Sequence, residues 1–297
     1  MKQKLFTGTY TAIVTPFEGG KVDEEALGNL VKAQIKGGVD GIVPVGTTGE
    51  SPTLDYEEHI RVIEAAVEFA EGKIKVLAGT GANSTQEAVY LTKAAEEAGA
   101  DGSLQVAPYY NKPTQEGLFQ HFKTIADSTK LRIVLYSIPG RCGVEIGVDT
   151  VKRLASACKN VVGIKEAGGN PERVSLLRAA VGDEFTILSG DDSLTLSFMA
   201  VGADGVVSVA SNIIPREVAQ MVKAFGMGKL ESALKMHQKF FPLFKNLFIE
   251  TNPVPVKAAL AMLGEIEEEY RLPLVPMGSR NRDILKATLV ECGLLKG

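Results

Sequence analysis

The run Val161-Val162-Gly163-Ile164-Lys165-Glu166-Ala167, preceded by Asn160 and followed by Gly168-Gly169-Asn170-Pro171, decides how the rest of the chain is read. It is short, β-branched and bracketed by turn residues, which predicts a buried strand. Strand side chains alternate between faces, so Val161, Gly163 and Lys165 are expected on one face and Val162, Ile164 and Glu166 on the other. A lysine closing such a strand is either a surface charge where the strand meets water or an amine held at a functional site, since lysine is rarely buried without cause. The stretch alone does not choose between these. Its place in the chain does.

Seven further segments read as strands: residues 10–17, 41–45, 74–78, 104–107, 132–138, 185–188 and 205–209, with Pro44 marking the end of the second or a bulge in it. Helical periodicity alternates with them. Residues 24–37 place Leu27, Leu30, Val31 and Ile35 on one face, and helices follow over 54–69, from a Ser84–Glu87 capping box to 99, over 115–127, from a cap at Asp149 to 157, from Asn170-Pro171 to 180, and over 193–201 and 215–225. Eight strand–helix units at intervals of about thirty residues predict parallel strands with crossover helices, a (β/α)8 TIM barrel. We assign residues 1–227 to this α/β barrel. Residues 228–297 are expected to form a C-terminal helical extension of three helices, over 230–248, 253–263 and 280–292. Lys165 then becomes the last inward residue of strand six, at the C-terminal mouth where barrel enzymes carry their chemistry.

Composition narrows the chemistry. The 297 residues are 45% hydrophobic and 23% charged, with net charge −4 and no like-charge block, which excludes a nucleic-acid stripe or a basic membrane face. Three scattered cysteines (Cys142, Cys158, Cys292) argue against a disulfide framework, and neither a signal peptide nor a membrane-length apolar run is present, so a cytoplasmic protein is expected. The histidines His59, His121 and His237 lack metal-site spacing, and Gly79-Thr80-Gly81-Ala82-Asn83-Ser84 lacks the third glycine of a dinucleotide fingerprint. Neither a metal nor a cofactor is expected. What remains is an amine on a barrel wall.

At pH 7 an ordinary lysine is neutral in only about one molecule in 2,500. Lowering its pKa to roughly 7–7.5 costs about 4 kcal/mol, which desolvation in an apolar barrel can supply. Such an amine forms a Schiff base with a carbonyl substrate, and the iminium is the electron sink. Glu166 points away from it and is read as structural. Tyr136, inward on the adjacent strand five, is a candidate proton donor and acceptor, or a packing tyrosine at the barrel mouth. Gly46-Thr47-Thr48-Gly49-Glu50 after strand two is a candidate carboxylate cradle, or ordinary turn chemistry. Arg141 could hold a second carboxylate bidentately, or be a solvated charge.

The motifs GTTGES (46–51), GTGAN (79–83), PYYNKP (108–113), LYSIPGR (135–141), GIKEA (163–167), SGDD (189–192) and NPVPVKAAL (252–260) resemble the dihydrodipicolinate synthase family, pyruvate-dependent class I aldolases related to N-acetylneuraminate lyase. The similarity runs in order from Phe6 to Leu294. It implies a Schiff base between Lys165 and pyruvate, with Tyr136 as proton donor and acceptor in a relay with Thr48 and a neighbouring subunit's copy of Tyr110. It implies a pyruvate pocket lined by Thr47, Thr48, Gly190 and Val207, and Arg141 on the carboxylate of L-aspartate 4-semialdehyde. The implied product is the first cyclic intermediate of lysine and diaminopimelate biosynthesis. The implied assembly is a homo-oligomer, commonly a tetramer built from two dimers. The resemblance further implies inhibition by L-lysine at Ser51, Pro52, Tyr56, His59, Asn83, Glu87 and Tyr109, although Pro52 and Tyr56 stand where alanine and histidine are frequent. Ser137-Ile138-Pro139-Gly140-Arg141 departs from the frequent Asn-Val-Pro-Ser-Arg but keeps the arginine. Two threonines in GTTGE, together with Arg141, favour the synthase branch over a sugar-acid lyase using the same lysine.

Overall fold

The structure is a computed structural model in which residues 4–296 are described; the outermost residues of the two expected parts, 1–3 and 297, lie outside them. Eight parallel strands close into one barrel: β1 (Gly8–Ala12), β2 (Gly41–Val43), β3 (Lys75–Gly79), β4 (Gly102–Val106), β5 (Arg132–Ser137), β6 (Val161–Glu166), β7 (Thr186–Ser189) and β8 (Gly205–Ser208), with β1 bonded to both β2 and β8. The covering helices are α1 (Glu24–Gly37), α2 (Tyr56–Ala70), α3 (Thr85–Glu97), α4 (Gln115–Asp127), α5 (Val148–Ala157), α6 (Pro171–Val181), α7 (Thr195–Ala200) and α8 (Pro215–Gly226). Three more follow: α9 (Leu230–Asn246), α10 (Val254–Met262) and α11 (Ser279–Glu291). The chain is the expected TIM barrel. Among the described residues no helix is long and apolar enough to cross a membrane.

The barrel floor is closed by aromatic rings. Phe6 and Tyr10 pack edge to face at 6.0 Å and are both buried. Glycine stands on β2 and β4 where those rings arrive. A Cβ on Gly41 would lie 2.3 Å from Tyr10 Cε1, and one on Gly102 would lie 2.6 Å from Phe6 Cζ. Val43, Leu77, Leu104, Val134 and Leu188 fill the layers above, leaving the polar chemistry at the opposite mouth.

Four expectations are corrected. Strand one spans residues 8–12 rather than 10–17, because beyond Ala12 the chain leaves the barrel: Val14 N donates to Asn212 Oδ1 and Asn212 Nδ2 donates to the Ala12 carbonyl, replacing ladder partners. Phe17–Glu18 instead forms a small antiparallel pair with Lys21–Val22. In β6 the register slips opposite Ile133 and Val134, so Val161 faces the helix layer while Val162 packs against the barrel interior. Gly163 and Lys165 keep the inward face. Helix α5 is capped by Gly147, with Asp149 inside its first turn. Ser84 accepts from Glu87 N at α3, but the full capping box in this region forms at α2, between Asp55 and Glu58.

The C-terminal helices have no core of their own. Phe240, Leu243, Phe244, Val256, Leu260 and Leu285 join the same buried cluster as Leu27, Val31 and Met221 of the barrel helices. One ion pair inside this junction has no access to water: Lys257 Nζ lies 2.5 Å from Glu50 Oε1, both side chains fully buried, with the ammonium also over the Phe17 ring at 4.3 Å. Removing one member of such a pair strands the other charge in a low-dielectric site. Lys257→Met is therefore expected to lower unfolding stability by about 3–5 kcal/mol. The double variant Glu50→Gln/Lys257→Met should recover most of that loss. Urea or thermal unfolding measures both, and a single variant as stable as the parent refutes the assignment.

Candidate active site

The site assembles at the C-terminal ends of β5, β6 and β7. Tyr136 and Lys165 are register partners on neighbouring strands, and Lys165 pairs on its other side with Leu188. Lys165 is 7% exposed, with Nζ 4.1 Å from the centroid of the Tyr136 ring. Burial lowers its pKa to about 7; the Arg141 charge pushes the same way and the Asp192 carboxylate opposes. The shift brings the neutral, nucleophilic amine into the physiological pH range. Burial pushes the Tyr136 phenol up to about 12, against the pull of Arg141 and of a hydrogen bond with Thr47, so the phenol keeps its proton.

The neighbouring carboxylate does not re-protonate the amine by pairing with it. Glu166 points to the opposite face, where Oε2 lies 2.7 Å from Arg173 Nε and Oε1 accepts from Gly168 N at 2.7 Å. Gly190, just beyond β7, makes room for the lysine stem. A Cβ there would sit 3.0 Å from Lys165 Cε and 2.6 Å from Ala167 Cβ. Val207 is buried on β8 among the interior side chains that include Tyr136 and Leu188.

The 46–51 loop is a strained turn. Val45 and Glu50, neither a glycine, adopt φ of 48° and 53°. Backbone bonds from Gly49 N and Ser51 N to the Gly46 carbonyl close it. The turn sends its two threonines to different partners. Thr47 reaches Tyr136, whereas Thr48 Oγ1 accepts from Asn252 Nδ2 at 3.0 Å. The expected link between Tyr136 and Thr48 is thus corrected: the threonine on the tyrosine is Thr47. The turn geometry, invisible in the string Gly-Thr-Thr-Gly, decides which hydroxyl points where.

Thr47, Tyr136, Ile138 and Arg141 line a cavity of about 200 Å³ together with Ser51, Pro52 and Tyr109. Three of the candidate catalytic and substrate-binding residues therefore share one space with three of the candidate effector residues. Arg141 sits on a single helical turn (Pro139–Cys142) and donates through Nη2 to the Asn252 carbonyl at 3.1 Å. Asn83 donates to the Tyr109 carbonyl at 3.2 Å, and Glu87 lies close enough to raise the Tyr109 phenol beyond what burial does. Tyr56 is half exposed and stacks at a tilt on Tyr90, 5.7 Å away.

Two expected members stand apart. His59 is buried, its Nε2 2.9 Å from the Gly79 carbonyl, and burial lowers its pKa to about 4, which favours the neutral ring. Tyr110 is 90% exposed at φ 73° and points out of its own barrel's site. Three residues escaped the sequence reading. Asp192 is buried and accepts from Val209 N and Ala210 N at 2.9 and 3.0 Å; Asn252 touches both Thr48 and Arg141; Lys257 anchors Glu50. The motifs SGDD and NPVPVKAAL contain all three, but no periodicity links positions so far apart in the chain.

Residues 5–292 match the dihydrodipicolinate synthetase family. The chain is 53% identical over 290 residues to the 4-hydroxy-tetrahydrodipicolinate synthase of Aquifex aeolicus, covering 98% of this chain and 99% of that enzyme. The structure of the 4-hydroxy-tetrahydrodipicolinate synthase from the thermoacidophilic methanotroph Methylacidiphilum fumariolicum superposes with a TM-score of 0.96 at 58% identity, covering 97% of this chain and 96% of that one. A lysine-bound dihydrodipicolinate synthase from Cyanidioschyzon merolae superposes with a TM-score of 0.96 at 41% identity, covering 99% and 100%. The chain belongs to the dihydrodipicolinate synthetase family.

Proposed function

We propose that this protein condenses pyruvate with L-aspartate 4-semialdehyde through an imine on Lys165, giving 4-hydroxy-tetrahydrodipicolinate and water at the first committed step of lysine and diaminopimelate biosynthesis. The observation that carries this is the buried amine with its pKa near 7, set against a protonated phenol. The neutral amine attacks C2 of pyruvate, and the Tyr136 proton helps the carbinolamine oxygen leave as water. The iminium acidifies the methyl group, and loss of one of its protons leaves an enamine. That carbon attacks the aldehyde of the second substrate, whose carboxylate Arg141 holds. Attack of the substrate's amino group on the imine carbon then closes the ring and releases Lys165.

Thr47 and Tyr136 form the inner part of the proton relay. A partner subunit's copy of the exposed Tyr110 completes it, so the working enzyme is at least a dimer and is proposed to be a tetramer of two dimers, in the cytoplasm. The barrel (1–227) and the helical extension (228–297) act as one catalytic unit, a reading supported by the contacts of Asn252 with Thr48 and Arg141. Gly190 and Val207 complete the pyruvate pocket. L-Lysine is proposed to bind at Ser51, Pro52, Tyr56, His59, Asn83, Glu87 and Tyr109. The lysine-bound relative supports this, as does the cavity that Ser51, Pro52 and Tyr109 share with Tyr136 and Arg141.

Turnover of pyruvate plus the semialdehyde, coupled to the NADPH-dependent reductase that consumes the product, tests the function. Arg141→Ala should lower kcat/KM for the semialdehyde by roughly a hundredfold, the loss of a bidentate charged contact. Borohydride should still trap pyruvate on Lys165 in that variant. Unchanged semialdehyde use in that variant would remove Arg141 as the holder of the carboxylate, whereas a parent enzyme that traps pyruvate but does not turn over the semialdehyde would point instead to a sugar-acid acceptor. Because Lys165 has a depressed pKa, imine formation should rise with an inflection near about pH 7 and level off above it. A rate that keeps climbing toward about pH 10, the ordinary lysine range, contradicts the lowered pKa. L-Lysine added to millimolar levels at sub-saturating pyruvate should lower the rate, and a flat titration removes the effector site.

A further inference from the structure

We propose that Asn252 is a positioning residue that makes Thr48 a dedicated hydrogen-bond donor toward the keto-acid substrate. It also ties that threonine to Arg141 through a single anchor. The inference rests on the reading above, in which Thr48 lines the pyruvate pocket.

Asn252 lies in the segment joining α9 to α10 and is buried. Its two ends serve two different groups. The side-chain amide Nδ2 donates to Thr48 Oγ1 at 3.0 Å, and the backbone carbonyl accepts from Arg141 Nη2 at 3.1 Å. Asn252 Oδ1 is buried with no hydrogen-bond partner among the described residues, so Thr48 alone orients the side chain. Thr48 is itself 3% exposed and cannot trade this bond for water.

A threonine hydroxyl carries one proton and two lone pairs. With the asparagine amide donating into one lone pair, the proton must point elsewhere. A carboxylate or carbonyl oxygen can only accept. Asn252 thereby fixes the polarity of Thr48 before substrate arrives, and the hydroxyl does not have to be reoriented on binding. The segment carrying Asn252 is held from below by the buried Lys257–Glu50 pair, and Glu50 closes the same turn that bears Thr48. Further support comes from Arg271, whose Nη1 donates to the Thr53 carbonyl at 3.0 Å. The C-terminal extension thus grips the loop at three points and Arg141 at one.

The test compares Asn252→Asp and Asn252→Ala with the parent, reading the pyruvate half-saturation of borohydride trapping at Lys165 and the KM of each substrate in turnover. An aspartate accepts the Thr48 proton and reverses the polarity, so Asn252→Asp should raise the pyruvate half-saturation roughly ten- to a hundredfold. Asn252→Ala, which frees the hydroxyl without reversing it, should raise it by about three- to tenfold. The semialdehyde KM should move less than the pyruvate KM, because the backbone carbonyl on Arg141 survives both changes. In a Thr48→Val background, Asn252→Asp should have little further effect, since the two residues act through one bond.

A pyruvate half-saturation of Asn252→Asp within about twofold of the parent overturns the proposal, as do fully additive effects in the double variant. Should Asn252→Asp not fold, the alanine variant and its double with Thr48→Val decide the same question. The trapping readout needs no second substrate. If the parent traps pyruvate but does not turn over the semialdehyde, the function reading fails while the Asn252 proposal is still decided by trapping.

Discussion

Desolvation of a single ammonium group is the constraint on which the rest of this structure depends. A lysine at a barrel mouth is useful as a nucleophile only if its charge is not stabilised, and every neighbouring group bears on that condition. Lys165 pairs with Leu188 on the next strand and lies against the face of Tyr136, and Gly190 leaves room for its stem. Glu166, adjacent in sequence, is the obvious threat. Its own burial would be untenable without a partner, and Arg173 supplies one on the outer face. Asp192 remains as an opposing charge, already engaged by two backbone amides. The balance leaves the amine near the middle of the physiological range, where it can attack a carbonyl and later carry the positive charge of an iminium.

The helical extension belongs to this chemistry as much as the barrel does. Barrel loops are usually positioned by the strands that precede them, but the 46–51 turn and the residue that enters it place two non-glycine residues, Val45 and Glu50, in the left-handed region, a conformation with an energetic cost of its own. What holds it is a set of contacts from far along the chain: Asn252 on Thr48, Lys257 on Glu50 and Arg271 on Thr53. The turn is therefore rigid only in the folded whole. The same is true of Arg141, whose four-residue helical turn is steadied by the Asn252 carbonyl.

Much of the fold was legible in advance because it depends on local rules. Eight β-branched runs separated by amphipathic helices admit few parallel arrangements, and the pairing of Tyr136 with Lys165 follows from alternation on two adjacent strands. Where the reading failed, a non-local contact had overruled the local pattern. The apolar run 10–17 looked like strand throughout, but Asn212, some two hundred residues later, takes over the backbone partners after Ala12. The alternation in β6 was right for Gly163 and Lys165 and wrong for Val161, since a one-residue slip against β5 turns the strand's first residue outward. The threonine pair is the sharpest case. Both hydroxyls were legible as candidates, yet only the turn's dihedral angles send Thr47 to Tyr136 and Thr48 to Asn252.

By itself the sequence determined the barrel, the inward lysine on its sixth strand, the tyrosine beside it and the family to which both belong, because periodicity and motif order are one-dimensional properties. It could not determine that His59 is buried against the Gly79 carbonyl, that Tyr110 is turned outward, or that Asn252 and Lys257 hold the 46–51 turn from behind. Those facts depend on burial and on hydrogen-bond partners brought together from opposite ends of the chain. Solvent exclusion, which sets the pKa of Lys165, exists only once the tertiary structure has closed around it.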